Sequence, residues 1–297
     1  MRIPTARREQ TWLQLKQPMI QYLYLGRVDY DEGLRLQAQI AALVAGGRLC
    51  NVLLLLEHPP VLTLGRNANR ANVLASDELL AARGVTLHAI NRGGDVTYHG
   101  PGQLVGYPIF DLRTLQNSKG GRMGPVDFVR GMEEVLIRVC AGFGVQAARV
   151  PGLTGVWCGP AGNEANSQGT NSEHQRKIGA IGIHVAKGIT SHGFAFNVTT
   201  DLRDFQLIVP CGIADHGVTS LAEQVREPGA LPALENIAHR AARQFGLVFD
   251  QHVLAVSGME ALLANASARE FPAEDTPLQV PAEVERLHGC TEHPVRA

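Results

Sequence analysis

Cys211 lies in Val209-Pro210-Cys211-Gly212. Proline stiffens the backbone before it and glycine frees the backbone after it, so the segment reads as a tight turn that exposes and aims a thiol. Such a thiol serves as a nucleophile when its pKa is lowered, and a neighbouring ammonium lowers it. Lys177 opens the apolar run Lys177-Ile178-Gly179-Ala180-Ile181-Gly182-Ile183 and could supply that ammonium. The two positions are 211 − 177 = 34 residues apart, so only folding can bring them together. Taken alone, a strand-end lysine more often faces solvent and a lone cysteine is more often inert.

The run Arg92-Gly93-Gly94-Asp95-Val96-Thr97-Tyr98-His99-Gly100-Pro101-Gly102-Gln103, with four glycines and a proline, is the strongest single feature. Glycine lets backbone approach a ligand closely. A dozen residues also exceeds what a hairpin connection needs. The stretch therefore reads as a ligand-binding loop between two strands, with Arg92 and His99 placed to flank a bound group. His192-Gly193-Phe194-Ala195-Phe196-Asn197 alternates small and aromatic residues, as a strand lining an apolar slot or an ordinary core strand would. Nucleotide-binding glycine fingerprints, the His-x-x-x-His metal pattern and the Gly-x-Ser-x-Gly elbow are missing, so neither a metal nor a serine nucleophile is expected. Cys50 and Cys140 lie in apolar segments, Cys158 opens a polar stretch, and Cys290 lies near the C-terminus. An odd count of five without a C-x-x-C pair points to reduced thiols and a cytoplasmic protein.

The elements that must position these residues follow from periodicity. Tyr30–Ala45 reads as an amphipathic helix stopped by Gly46 and Gly47. Val52–Leu56 lacks polar alternation and reads as a strand covered on both faces. Val61–Leu64, Val85–Ile90, Leu104–Asp111, Val145–Ala148, Thr154–Trp157, Lys177–Val185 and Ser191–Val198 read as further strands. Ser76 is placed to cap a short helix, Pro125 to Phe143 forms a long one, and Leu234–Phe245 a third, ended by Gly246. Strands and helices mix without a regular βαβ beat, which predicts an α+β fold with a mixed β-sheet and flanking helices. One catalytic domain is expected over 19–250, with a tail over 1–18, a polar insertion loop at 158–176 and a loosely attached extension over 251–297. With 297 residues the chain can bury a sizeable core. A net charge of −1 and 5% aromatic residues argue against nucleic-acid binding, and no apolar run is long enough for a membrane helix.

Glu57-His58-Pro59-Pro60-Val61-Leu62-Thr63-Leu64-Gly65, the 92–103 loop, Arg176-Lys177-Ile178-Gly179-Ala180-Ile181-Gly182, His192–Asn197 and Pro210-Cys211-Gly212 occur in that order. Together they resemble the lipoyl(octanoyl) transferases over about residues 20–225. The resemblance implies a fold like the catalytic domain of biotin and lipoate ligases. It implies transfer of an octanoyl group from octanoyl-acyl carrier protein to a lysine of lipoyl domains, those of 2-oxoacid dehydrogenase E2 subunits and the glycine cleavage H protein, with no cofactor. It assigns Cys211 as the acyl-thioester cysteine and Lys177 as the lysine that lowers its pKa. Arg92, Gly93, Gly94, Asp95, Val96, Thr97, Tyr98 and His99 match the substrate-binding loop. Ala180, Ile181 and Gly182, with Gly193, Phe194 and Ala195, match the other two stretches along the acyl tunnel. The alternatives are an ATP-dependent lipoate ligase on the same fold, which needs no cysteine, and a non-catalytic protein that binds acyl chains or lipoyl domains.

Overall fold

The all-aliphatic stretch in Asn51–Glu57 (β2) is buried from Asn51 through Leu56, as a strand with helices on both sides must be. The computed structural model describes residues 19–117, 119–159, 175–210, 216–226 and 231–267. Within them β2 lies inside an eight-stranded mixed sheet of order β11-β1-β2-β6-β10-β9-β8-β7. The strands are β1 Met19–Arg27, β6 Gln103–Ile109, β7 Ala147–Val150, β8 Leu153–Cys158, β9 Arg176–Ala186, β10 Ile189–Asn197 and β11 His252–Ala255. β11, β1 and β2 run parallel, whereas β6, β10, β9, β8 and β7 pair antiparallel in succession from β2. A smaller sheet, β4-β3-β5, is built from β3 Val61–Leu64, β4 Thr86–Ala89 and β5 Val96–His99. The fold is α+β, with a mixed sheet and flanking helices.

Period-2 alternation divides the large sheet's side chains between two cores. Leu53, Leu55, Leu104, Phe194 and Phe196 pack with Phe128, Met132 and Leu136 of Pro125–Ala141 and with Ile237, Ala241 and Phe245 of Leu234–Phe249. Val52, Leu54, Val105, Tyr107 and Ile109 pack on the opposite side with Ile40 and Val44 of Tyr30–Ala45. These three helices are named α3 (Pro125–Ala141), α4 (Leu234–Phe249) and α1 (Tyr30–Ala45). The short α2, Asp77–Ala82, is capped by Ser76, whose Oγ accepts from the Leu79 amide at 3.3 Å. It covers the small sheet, where Leu62, Val96 and Tyr98 meet Leu80, Phe205, Leu207 and Ile208.

Three local expectations change. The 92–103 stretch is not loop throughout, because Val96–His99 forms β5 and pairs antiparallel with β3. The helix begun at Leu234 runs past Gly246 to Phe249. A Cβ at Gly246 would overlap Val253, so this glycine admits the returning β11 rather than ending the helix. Beyond residue 250, where a loose extension is expected, β11 pairs with β1 and a further helix, α5 Met259–Ser267, buries Leu262 and Ala266 in the α1-side core. Residues 1–18, 160–174 and 268–297 lie outside the described residues.

Candidate active site

Where the small sheet faces the large one, the middle of β9 and β10 carries small side chains. Ala180 and Gly182 of β9 pair with Ala195 and Gly193 of β10. Facing them are Thr97 and His99 of β5, on the opposite side of that strand from Val96 and Tyr98. The space left between the two sheets is a cavity of about 340 Å³. That lies in the lower part of the roughly 300–1,000 Å³ range of small-molecule sites. A cavity of about 150 Å³ already admits benzene, so an eight-carbon acyl chain has room here.

Backbone fit closes the walls. A Cβ at Gly182 would lie 2.7 Å from the carbonyl oxygen of Gly93, whose own amide donates to the Ile183 carbonyl at 2.9 Å. The loop thus rests directly on β9, which only a glycine there permits. Arg92 folds back on β3, with Nη2 donating to the Thr63 carbonyl at 2.7 Å and to Thr63 Oγ1 at 2.9 Å. Asp95 accepts from the Asn69 and Val96 amides at 3.1 and 2.7 Å and from the Asn72 side chain, pinning the 66–72 segment to the loop.

One end of the cavity is polar. His58 Nδ1 donates to the Val28 carbonyl at 2.6 Å and its Nε2 accepts from the Tyr107 hydroxyl at 2.6 Å. His99 Nδ1 donates to Gln103 Oε1 at 2.8 Å, and Gln103 is fixed in turn by Asn197. His192, at φ 56°, gives its amide to Gln37 Oε1 and its Nε2–H to Asn91 Oδ1, both at 2.7 Å. Burial pushes all three imidazoles down, to about 4, about 3 and about 4 respectively. They are neutral hydrogen-bonding groups at any physiological pH. Burial also holds the Tyr30 and Tyr107 hydroxyls well above the usual phenol range, so both stay protonated.

Lys177 stands at the other end. Its side chain is buried, with Nζ 4.6 Å from the centroid of the Trp157 ring. It lines the main cavity and also a small neighbouring one, whose wall includes Thr97, Ala195, Asn197 and Pro210. Its backbone is held by the chain beyond residue 215. The Lys177 amide donates to Gly217 at 2.9 Å, and the Thr219 amide donates to the Lys177 carbonyl at 3.0 Å. On the other flank, the Val209 amide donates to Asn72 at 2.7 Å. Cys211 and Gly212 lie outside the described residues, as does Cys290. Cys140 and Cys158 are core residues whose thiols are pushed up by burial, that of Cys158 to about 12.

Of the residues singled out by sequence, Arg92, Gly93, Gly94, Asp95, Thr97, His99, Lys177, Ala180, Ile181, Gly182, Gly193, Phe194 and Ala195 line one cavity. Val96 and Tyr98 do not, and the Tyr98 hydroxyl instead donates to Asp204 at 2.7 Å. Alternation along a strand is the signal that separates the two sets. Tyr30, Tyr107, His192 and the Gly152-Leu153-Thr154 turn also line the cavity. Of these, His192 opened a motif already noted, whereas Tyr30 and Tyr107 read as ordinary helix and strand residues.

Comparison with known proteins places this geometry. Residues 29–245 match the model of the lipoyl protein ligase A/B catalytic domain. An octanoyltransferase of Acidobacterium capsulatum is 60% identical over 80% of this chain and 92% of its own. One from Koribacter versatilis is 47% identical over 91% of this chain and 97% of its own. Among solved structures, a bi-partite lipoate protein ligase from Thermoplasma acidophilum superposes with a TM-score of 0.59 at 16% identity, over 84% of this chain and 91% of that one. The last likeness is one of fold.

Proposed function

The chain belongs to the lipoyl protein ligase A/B catalytic-domain family, and on that premise we propose that it transfers octanoyl groups to lipoyl domains through a thioester on Cys211. The observation that carries this reading is the anchoring of the cysteine-bearing segment. Pro210, bonded to Cys211, shares a cavity wall with Lys177, and residues 217 and 219 clasp the Lys177 backbone. The residue before Cys211 thus shares a wall with Lys177, and residues after it are hydrogen-bonded to the same lysine, which also lines the larger cavity.

In the mechanism, the Lys177 ammonium stabilises the Cys211 thiolate. The thiolate attacks the carbonyl carbon of the octanoyl thioester on acyl carrier protein while the chain lies between Ala180, Gly182, Gly193 and Ala195. The bond to the carrier sulfur breaks, and the leaving thiolate takes a proton from Lys177. The neutral amine of the acceptor lysine then attacks the Cys211 thioester. The amide forms, the Cys211 thiolate leaves, and the surplus amine proton returns to Lys177. One thioester replaces another in the first half, so ATP is not consumed. The proposed compartment is the cytosol, where the thiols stay reduced.

The test is transfer to a purified lipoyl domain, from octanoyl-acyl carrier protein without ATP and, separately, from free octanoate with ATP. The proposal expects product in the first arm only, and its loss in Cys211→Ser with the fold intact. Product only in the second arm would identify a ligase instead.

A further inference from the structure

We propose that Trp157 is the positioning residue for Lys177: its indole face holds the ammonium at the wall it shares with Pro210. This rests on the Lys177–Cys211 reading. Trp157 and Lys177 are register partners on β8 and β9, so their side chains rise from the same face of the sheet. Both are buried, at 1% and 7% exposure, and Nζ sits 4.6 Å from the ring centroid. Among the described residues, no carboxylate pairs with that ammonium.

The backbone of β8 is shaped for this contact. The β8–β9 register shifts between Val156 and Trp157. Gly155 has φ +119°, a conformation that L side chains rarely adopt. A Cβ there would lie 2.6 Å from the Gly179 carbonyl oxygen and 3.5 Å from Cε of Lys177. The Gly155 amide donates to the fully buried Glu133 at 3.0 Å, which locks the distortion from α3. Trp157 also packs edge-to-face with His216, with ring centroids 5.2 Å apart and planes at 66°. His216 Nδ1 donates to the Gln175 carbonyl at 3.2 Å. One indole therefore touches both the lysine and the first described residue after Cys211.

The chemistry favours a ring over a countercharge. A buried ammonium loses hydration, and an aromatic face offsets that loss through its quadrupole, tryptophan most strongly. A carboxylate there would neutralise the field that a thiolate needs. The ring holds the cation without doing so, and without competing for the proton that Lys177 gives and recovers. Among the described residues, the other titratable groups around Lys177 are Arg176, which is paired with Glu223 at 3.4 Å, His216 and Cys158, and, along the shared cavity, Arg92, Asp95, His99 and His192. Cys158 stays a thiol and His99 stays neutral between pH 5 and 10, so neither changes charge as Cys211 titrates.

The experiment measures iodoacetamide alkylation of Cys211 against pH, read by peptide mass on the full chain. Trp157→Leu is expected to raise the alkylation midpoint by about one pH unit, a tenfold loss of thiolate at fixed pH, and Trp157→Phe by less. Because Trp157→Leu removes a buried ring, an isosteric series accompanies it. In a Trp12→Phe background, fluorinated tryptophans at Trp157 weaken the ring quadrupole at nearly constant shape. The midpoint should climb with fluorine count. A flat fluorine series, or a Trp157→Leu midpoint equal to wild type, overturns the proposal while Lys177→Ala still shifts the midpoint. No shift in Lys177→Ala removes the lysine–cysteine pairing itself, and this proposal with it.

Discussion

Ala195 shares a wall with Lys177 and Thr97 in both cavities, so its methyl borders the place where a thioester head would lie. Ala195→Leu fills that space. It should cut octanoyl transfer at least tenfold, since about 1–3 kcal/mol is at stake per misfitted methylene. Alkylation of Cys211 by a small reagent should be unaffected. Equal losses of transfer and alkylation would show that the leucine disturbs the nucleophile rather than the acyl site. At this scale much of the site was legible, because Lys177, Arg92, His99 and the small residues of β9 and β10 carry their chemistry in their type and spacing. Val96 and Tyr98 stand with them only because the resemblance matches the whole 92–99 stretch, and the alternation of β5 turns these two toward Leu80 and Phe205. Tyr30 and Tyr107 carry no local signal. Their part in the site exists only once α1 crosses β6.

At the scale of elements, α3 and the β7–β8 hairpin are joined by one buried carboxylate. Glu133 accepts from Arg130 at 2.7 Å, from Arg149 at 3.0 Å and from the Gly155 amide at 3.0 Å. Removing Glu133 leaves the buried Gly155 amide without an acceptor, which costs about 1–3 kcal/mol, whereas the half-exposed Arg130 and Arg149 can turn to solvent. Glu133→Ala should lower stability toward that amount in urea unfolding. Glu133→Gln, which can still accept from Gly155, should lose less. Equal, small losses in both variants would mean that the cluster contributes no more than a surface pair. The long periodic elements α1, α3 and β2 were readable because burial repeats along them. β11 was not, because it is an edge strand with a single sheet neighbour. Gly246 misled for a related reason, since a glycine that admits a neighbour looks in sequence like one that ends a helix.

For the whole molecule, the buried histidines set an acid limit. Each imidazole of His58, His99 and His192 is held to about 4, about 3 and about 4 in the fold, against 6.5 when unfolded. Between those values the unfolded chain binds more protons than the folded one, so stability falls as pH drops. Their contribution is complete above pH 6.5 and is lost progressively as pH falls, down to about 4 for His58 and His192 and about 3 for His99. Each tenfold difference in proton affinity between the folded and unfolded chain is worth about 1.4 kcal/mol. Urea midpoints should therefore drop steeply from pH 7 to pH 5, and His192→Asn should flatten the slope. A pH-independent midpoint would show that these histidines are not buried neutral. The cavity between the two sheets was the least legible feature, because it is made where β5, β9, β10 and α1 meet, far apart in sequence. The most direct test of the account is intact-protein mass spectrometry after mixing the enzyme with octanoyl-acyl carrier protein alone, without acceptor or ATP. The account predicts a gain of one octanoyl group, mapped to Cys211 and discharged on adding a lipoyl domain. An unmodified enzyme that still transfers octanoyl to the lipoyl domain would contradict it.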